Sequence, residues 1–114
     1  MSQNRSKLID IFVGNVSNSV VHRILEKAID EENIRKHYDR EFLTSLEIAK
    51  RYREKINPKS EFPEKDAEEM KEMIRNKVKK ELKKRESKGY KNINFDLIDS
   101  VMDEILKEMR IIKK

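Results

Sequence analysis

Residues 63–91 read PEKDAEEMKEMIRNKVKKELKKRESKGYK, and this run predicts one long amphipathic helix. Its apolar residues recur every three or four positions, which places them on one face of an α-helix. They are Ala67, Met70, Ile74, Val78 and Leu82. Pro63 suits the first turn of a helix, and Gly89 is typical of the position just past a helix end. We therefore predict a helix over residues 63–88, followed by a turn over 89–93.

The chain continues this helical pattern on both sides of the run. Residues 7–29 and 31–56 carry an apolar residue at roughly every fourth position, and residues 94–112 approach the a/d spacing of packed helices. Only two Gly and two Pro interrupt the chain. The predicted fold is therefore all-α, a compact antiparallel bundle of four or five helices in a single domain over residues 1–114.

The first helix leaves two alternatives open. Gly14 lies in the middle of its pattern, where a glycine costs about 1 kcal/mol, so the helix either kinks or breaks there, and a break would create the fifth helix. Residues 8–13 also alternate in part, which makes a short strand the alternative to a helix. Outside the helices, we expect a flexible tail over residues 1–6 and the main loop over residues 57–63.

Polar residues mark the expected starts of the last two helices. Asp66 with Glu69, three positions later, fits a capping box. Asn94 is expected to cap the last helix, with Ile93 and Ile98 placed for a hydrophobic staple across that cap.

Composition narrows the possible classes of function. The chain has no Cys, which excludes disulfides, thiolate zinc sites and thiol catalysis. Charged residues make up 43% of the chain, and such a density of Lys and Glu is typical of thermophilic proteins. No run resembles a signal peptide or the roughly 20 apolar residues of a membrane span. We expect a cytoplasmic protein that does not bind a membrane.

The two histidines are the first place to look for a metal site. His22 with Glu26, and His37 with Glu41, have the i,i+4 spacing that could hold a metal ion from one helix face. A helical chain this rich in Glu produces such pairs by chance. No glycine-rich phosphate loop or nucleophile elbow is present. We therefore expect no catalytic site, no metal and no cofactor.

The strongest functional feature is the charge of residues 75–91, where nine Lys or Arg stand against two Glu, a local net charge of +7 in a chain of +5. Like-charge lysine pairs at i,i+4 within it each cost about 0.2–0.5 kcal/mol, and an anionic partner would relieve that cost. We expect the binding site at the Lys80–Lys91 end, with Tyr90 as its one aromatic contact. The candidate residues are Arg75, Lys77, Lys79, Lys80, Lys83, Lys84, Arg85, Lys88, Tyr90 and Lys91.

The alternative is that this charge is neutralised within the molecule. If the last two helices pack antiparallel, three acidic residues of the last helix would lie beside lysines of the third. The acidic residues are Asp96, Asp99 and Asp103, and their expected partners are Lys80, Lys83, Lys84 and Lys88.

The last helix carries an apolar set wider than the roughly 100° stripe that a surface helix needs. Either a second copy covers it, giving a homodimer, or residues 8–12 cover it within one chain. The candidate self-association residues are Ile98, Met102, Ile105, Leu106, Met109 and Ile112. We expect a non-catalytic association module that binds first to a second copy of itself. The alternatives are a sequence-nonspecific DNA- or RNA-binding accessory protein and a partner for an acidic protein surface.

Overall fold

Four α-helices build the part of the chain that the structure, a computed structural model, describes, namely residues 5–56 and 62–111. The helices are α1 (Arg5–Ala28), α2 (Glu32–Ile56), α3 (Glu64–Ser87) and α4 (Leu97–Glu108). The described ranges contain no strand, so the predicted all-α bundle is confirmed. None of these helices is both long enough and apolar enough to cross a bilayer.

Helix α1 is the centre of the bundle, because it packs against each of the other three helices, while α3 also packs against α4. An Arg5 nitrogen at the start of α1 donates to the carbonyl of Ile56 at the end of α2, at 3.3 Å, so these two helices are antiparallel. The buried residues of α1 are mostly β-branched or small, which lets neighbouring helices approach closely. They are Leu8, Phe12, Val13, Val16, Ser17, Ser19, Val20, Val21, Ile24 and Leu25.

Helix α1 runs unbroken through Gly14, so the predicted break there and the alternative strand at residues 8–13 are both wrong. Packing on several sides stabilises this helix by more than one glycine costs, since most helical stability in proteins comes from tertiary contacts. The helix begins at Arg5, so the last two residues of the predicted 1–6 tail are helical. Residues 1–4, and residues 57–61 of the predicted main loop, lie outside the described residues.

The end of α3 follows the prediction for Gly89, which adopts a positive φ of 104°. The Gly89 amide donates to the Glu86 carbonyl at 3.1 Å, and the Tyr90 amide donates to the Arg85 carbonyl at 3.2 Å. These two bonds define a Schellman motif. Helix α4 ends with the same pair of bonds, but Arg110 occupies the left-handed position there, with φ 61°.

The predicted helix starts are wrong in detail. The N-cap of α3 is Pro63, whose side chain has no polar atom for capping, and Asp66 lies within the first turn, in an ion pair of 3.6 Å with Arg5. Helix α4 begins at Leu97 with Asp96 as its N-cap, three residues later than the expected start at 94. The Asn94 side chain instead accepts a bond from the Asp96 amide at 3.0 Å, forming an Asx turn ahead of the helix.

A buried arginine, which the sequence analysis did not single out, joins the ends of two helices. Arg53 of α2 is only 2% exposed. Its Nε donates to the carbonyl of Met109, just past α4, at 2.9 Å. The guanidinium carbon lies 4.5 Å from the ring centroid of Phe62, which precedes α3. Burial lowers the pKa of Arg53, so this charge is held at an electrostatic cost that its contacts offset.

Candidate functional site

Seven lysines of the predicted cluster form one exposed cationic surface along the second half of α3 and the turn that follows it. We call these residues the lysine surface: Lys77, Lys79, Lys80, Lys83, Lys84, Lys88 and Lys91. Among the described residues, no carboxylate oxygen lies within 4 Å of any of their ammonium groups. Their charge is therefore available to a partner.

The two arginines of the predicted cluster have partners inside the molecule. Arg75 Nη1 lies 2.9 Å from a Glu72 carboxylate oxygen, and its Nε lies 2.9 Å from Asp99 on α4. The bond to Asp99 raises the pKa of the Arg75 guanidinium. Arg85 Nε donates to Glu81 at 3.0 Å. Both guanidinium groups are thus paired with carboxylates of the same chain. They therefore contribute less positive charge to a binding surface than a count of Lys and Arg in the sequence indicates.

Tyr90, predicted as the one aromatic contact of the site, is half-buried and bonded within the chain. Its hydroxyl lies 3.0 Å from the Tyr38 hydroxyl of α2, and an Arg85 nitrogen donates to it at 3.5 Å. Its hydrogen bond with Tyr38 lowers the pKa of Tyr90, whereas burial raises the pKa of Tyr38 to about 12. Tyr90 therefore ties the turn to α2, and the Arg85 guanidinium lies over its ring, 5.6 Å from the ring centroid.

Neutralisation of the lysines by α4, the alternative in the sequence analysis, does not occur in the described structure. Asp99 pairs with Arg75, and Asp103 pairs with Lys71 at 3.5 Å. Because α4 starts only at Leu97, after the connection over residues 88–96, it lies beside the first half of α3 and not beside the lysine surface. The acidic residues of α4 consequently meet cations that precede the lysine surface.

The lysine surface carries internal repulsion that no ion pair among the described residues offsets. Three pairs of its ammonium groups stand at i,i+4 on one helix, and each pair costs about 0.2–0.5 kcal/mol. The pairs are Lys79/Lys83, Lys80/Lys84 and Lys84/Lys88. Bound anionic groups would remove this repulsion, so binding a polyanion and stabilising α3 are coupled.

The apolar face of α4 is covered within one chain. Five of the six residues predicted for self-association are at most 3% exposed, while Ile112 lies outside the described residues. The five are Ile98, Met102, Ile105, Leu106 and Met109. Helices α1 and α3 pack against α4 and bury this face. A second copy would have to displace one of them to reach these side chains.

The polar residues of α1 are mostly occupied by the helix itself. The Ser17 hydroxyl donates to the Val13 carbonyl at 2.7 Å, and the Ser19 hydroxyl lies 3.1 Å from the Asn15 carbonyl. His22 differs from these serines: its ring stacks on Tyr38 with centroids 5.6 Å apart, and its buried Nδ1 has no hydrogen-bond partner among the described residues. Across the ranges 5–56 and 62–111, no three His, Asp or Glu side chains are grouped to hold a metal ion.

No protein-family model, no curated protein and no solved structure matches this chain. The charges and geometry of the molecule itself are therefore the basis for inferring its function.

Proposed function

We propose that this protein is a non-catalytic helical module that binds the phosphate backbone of double-stranded nucleic acid through the lysine surface, without reading the base sequence. The observation that carries this proposal is the set of seven exposed lysines with no carboxylate within 4 Å among the described residues. Lysine is a point charge on a flexible stem with three donors, which suits phosphate oxygens of variable position. Neutralised phosphates release counterions, and this release supplies most of non-specific affinity.

The cluster over residues 75–91 contains one aromatic residue, the half-buried Tyr90, and this scarcity of rings favours a duplex over a single strand. Proteins that hold single strands stack successive bases on aromatic side chains. Tyr90, the aromatic residue within the cluster, is bonded through its hydroxyl to Tyr38 and Arg85. Contacts to the backbone of a duplex need no such ring, and they leave the base sequence unread.

The test is the binding of a fluorescently labelled 20-base-pair DNA duplex, followed by anisotropy across salt concentrations. If about four to seven phosphates are neutralised, affinity should fall roughly 10²- to 10⁴-fold between about 50 and 200 mM salt. Reversing Lys79, Lys80, Lys83 and Lys84 to Glu should abolish binding while helicity is kept. Wild-type protein that shows no binding at about 50 mM salt would overturn the proposal.

A matched control separates the lysine surface from net charge. Four other exposed lysines have no ion pair among the described residues, and reversing them changes the total charge by the same amount. They are Lys7, Lys27, Lys65 and Lys107. This control should bind far more tightly than the lysine-surface variant. Equal losses in the two variants would show that overall charge, and not this surface, attracts the duplex.

Self-association is a second candidate function, and the structure favours a different face for it than α4. Leu43 of α2 is 54% exposed. It stands beside a cleft between α1, α2 and α4 whose apolar lining includes Phe42, Leu46, Val101 and Ile105. The α1 side of the cleft carries Lys27 and the α4 side carries Glu104. A two-fold dimer places such a patch against itself, so the basic edge of one copy would meet the acidic edge of the other.

Sedimentation equilibrium tests this second candidate directly. We expect a concentration-dependent dimer for the wild type and a monomer for Leu43→Glu, because a carboxylate there would be buried against its own copy. Leu43→Ala should weaken the dimer without adding charge. A wild type that stays strictly monomeric at high micromolar concentration rejects self-association through this face.

A further inference from the structure

A cleft of about 520 Å³ lies between α1 and α3, along one side of the lysine surface. Lys77, Lys80 and Lys84 line its α3 wall, while α1 contributes Gly14 and Asn18 opposite them. The other four lysines of the lysine surface do not line it. The cleft therefore divides the seven lysines into an inner group of three and an outer group of four.

The three inner lysines form a short row. On an α-helix with a rise of 1.5 Å per residue, positions i, i+3 and i+7 lie within about 60° of one another and span about 10 Å along the axis. Three consecutive phosphates of one strand span two rises of roughly 3.4 Å, about 7 Å along the duplex axis. The flexible lysine stems can close the remaining difference of a few ångströms. The row can therefore meet consecutive phosphates of a single strand.

The α1 wall is suited to receive the same strand. The Asn18 side chain is exposed and has no hydrogen bond to any residue within 5–56 or 62–111, so its amide can donate to a phosphate oxygen. Gly14 leaves open space, since a Cβ built there would meet no heavy atom within 4 Å. A bound backbone can approach the helix closely at this point.

One acidic residue, Glu81, also lines the cleft. Arg85 Nε donates to its carboxylate at 3.0 Å, and this ion pair offsets the negative charge. The net charge that the cleft presents to an anion therefore comes from the three inner lysines.

We infer that the cleft between α1 and α3 is the binding site for the nucleic-acid backbone. Lys77, Lys80 and Lys84 bind consecutive phosphates of one strand, and the Asn18 amide donates a hydrogen bond to the same strand from α1. This inference rests on the proposed function and adds to it which lysines bind and which second helix takes part. The outer lysines then contribute only long-range attraction.

Two triple variants with equal charge loss test the inference. The inner variant carries Lys77→Gln, Lys80→Gln and Lys84→Gln, and the outer variant carries Lys79→Gln, Lys83→Gln and Lys88→Gln. With the labelled DNA duplex, the inner variant should lower the slope of log K against log salt by about 2.7, which corresponds to three lost phosphate contacts. The outer variant should lower it by less than about 1.

The outcomes separate the inference from the proposed function. Equal changes of slope and affinity in the two triple variants would overturn the cleft as the binding site, while binding by the lysine surface as a whole would stand. A wild type that does not bind the duplex would overturn both.

A second pair of variants tests the cleft without changing charge. Gly14→Gln places a neutral side chain in the open space, and we expect affinity to fall about tenfold, as for the loss of one charge-assisted hydrogen bond. Gly14→Ala adds only a methyl group and should lower affinity less than Gly14→Gln does. Circular dichroism verifies that both variants remain helical. Wild-type affinity of Gly14→Gln would contradict the inference independently of the lysine variants.

Discussion

Replacing Arg53 with Met tests whether a buried guanidinium holds the ends of α2 and α4 together. Methionine keeps the unbranched stem but removes every N–H donor. The bond from Nε to the Met109 carbonyl, at 2.9 Å, is worth about 1.5–3 kcal/mol for a charged donor. The contact with the Phe62 ring, at 4.5 Å, is worth about 0.5–2 kcal/mol. Relief of the buried charge offsets part of this sum, so Arg53→Met should lower the free energy of unfolding by about 2–3 kcal/mol.

Urea denaturation followed by far-UV circular dichroism measures this loss, which also corresponds to a fall of roughly 10 °C in the melting temperature. Arg51→Met is the matched control, since Arg51 lies on the same helix with a side chain 70% exposed, and its one ion pair within the described residues is a long one of 3.9 Å to Glu47. That control should change stability by less than about 0.5 kcal/mol. If the two variants were equally stable, the buried guanidinium would make no net contribution, and its role as a link between the helices would be refuted.

Three further predictions concern the two glycines and the half-buried imidazole of His22. Gly14→Ala should raise the free energy of unfolding by about 0.5–1 kcal/mol, because the residue is inside a helix and the added Cβ meets no atom within 4 Å. Gly89→Ala should lower it by about 1–2 kcal/mol, because φ is +104° there, and urea denaturation checks both. Burial lowers the pKa of His22 in the folded chain below its ordinary value of 6.5. The stability due to its neutral ring is therefore fully present above pH 6.5, and it is lost as the pH falls through the lower pKa of the folded state. His22→Gln should remove that part of the pH profile of stability while His37→Gln retains it, and the opposite result would contradict the assignment.

The helices themselves follow from local patterns, as α3 demonstrates. All five apolar residues of its predicted face are buried, because spacing of three or four positions on a helix fixes which side chains share a face. The end of α3 at Gly89 was equally predictable from the sequence, because glycine tolerates the left-handed backbone that a Schellman motif requires. The end of α4 was not, because Arg110 adopts the same conformation without any glycine to mark it.

The pairing of charges between helices could not be predicted from the same patterns. Antiparallel packing of α3 and α4 was expected, but its register depends on the path of the connection over residues 88–96. An Asx turn at Asn94 delays the start of α4 to Leu97, and Asp99 therefore meets Arg75. The helix starts were ambiguous for a related reason. A polar side chain such as Asp66 can either cap a helix or form an ion pair with a distant cation, and in the folded chain it pairs with Arg5.

In the candidate site, as far as the structure describes the chain, the arginines pair with carboxylates of the same chain and the lysines do not, and a count of charges in the sequence does not distinguish the two. Within residues 75–91, both arginines are bonded to carboxylates of the same chain, and the seven lysines have no carboxylate within 4 Å among the described residues. A planar guanidinium with fixed donors suits a bond of defined geometry, whereas a strongly hydrated ammonium on a flexible stem gains little from one. Loss of Arg75 or Arg85 should therefore affect stability, and loss of lysines should affect binding. The two roles are separable by residue type, which is why lysine variants can lose the duplex and keep the fold.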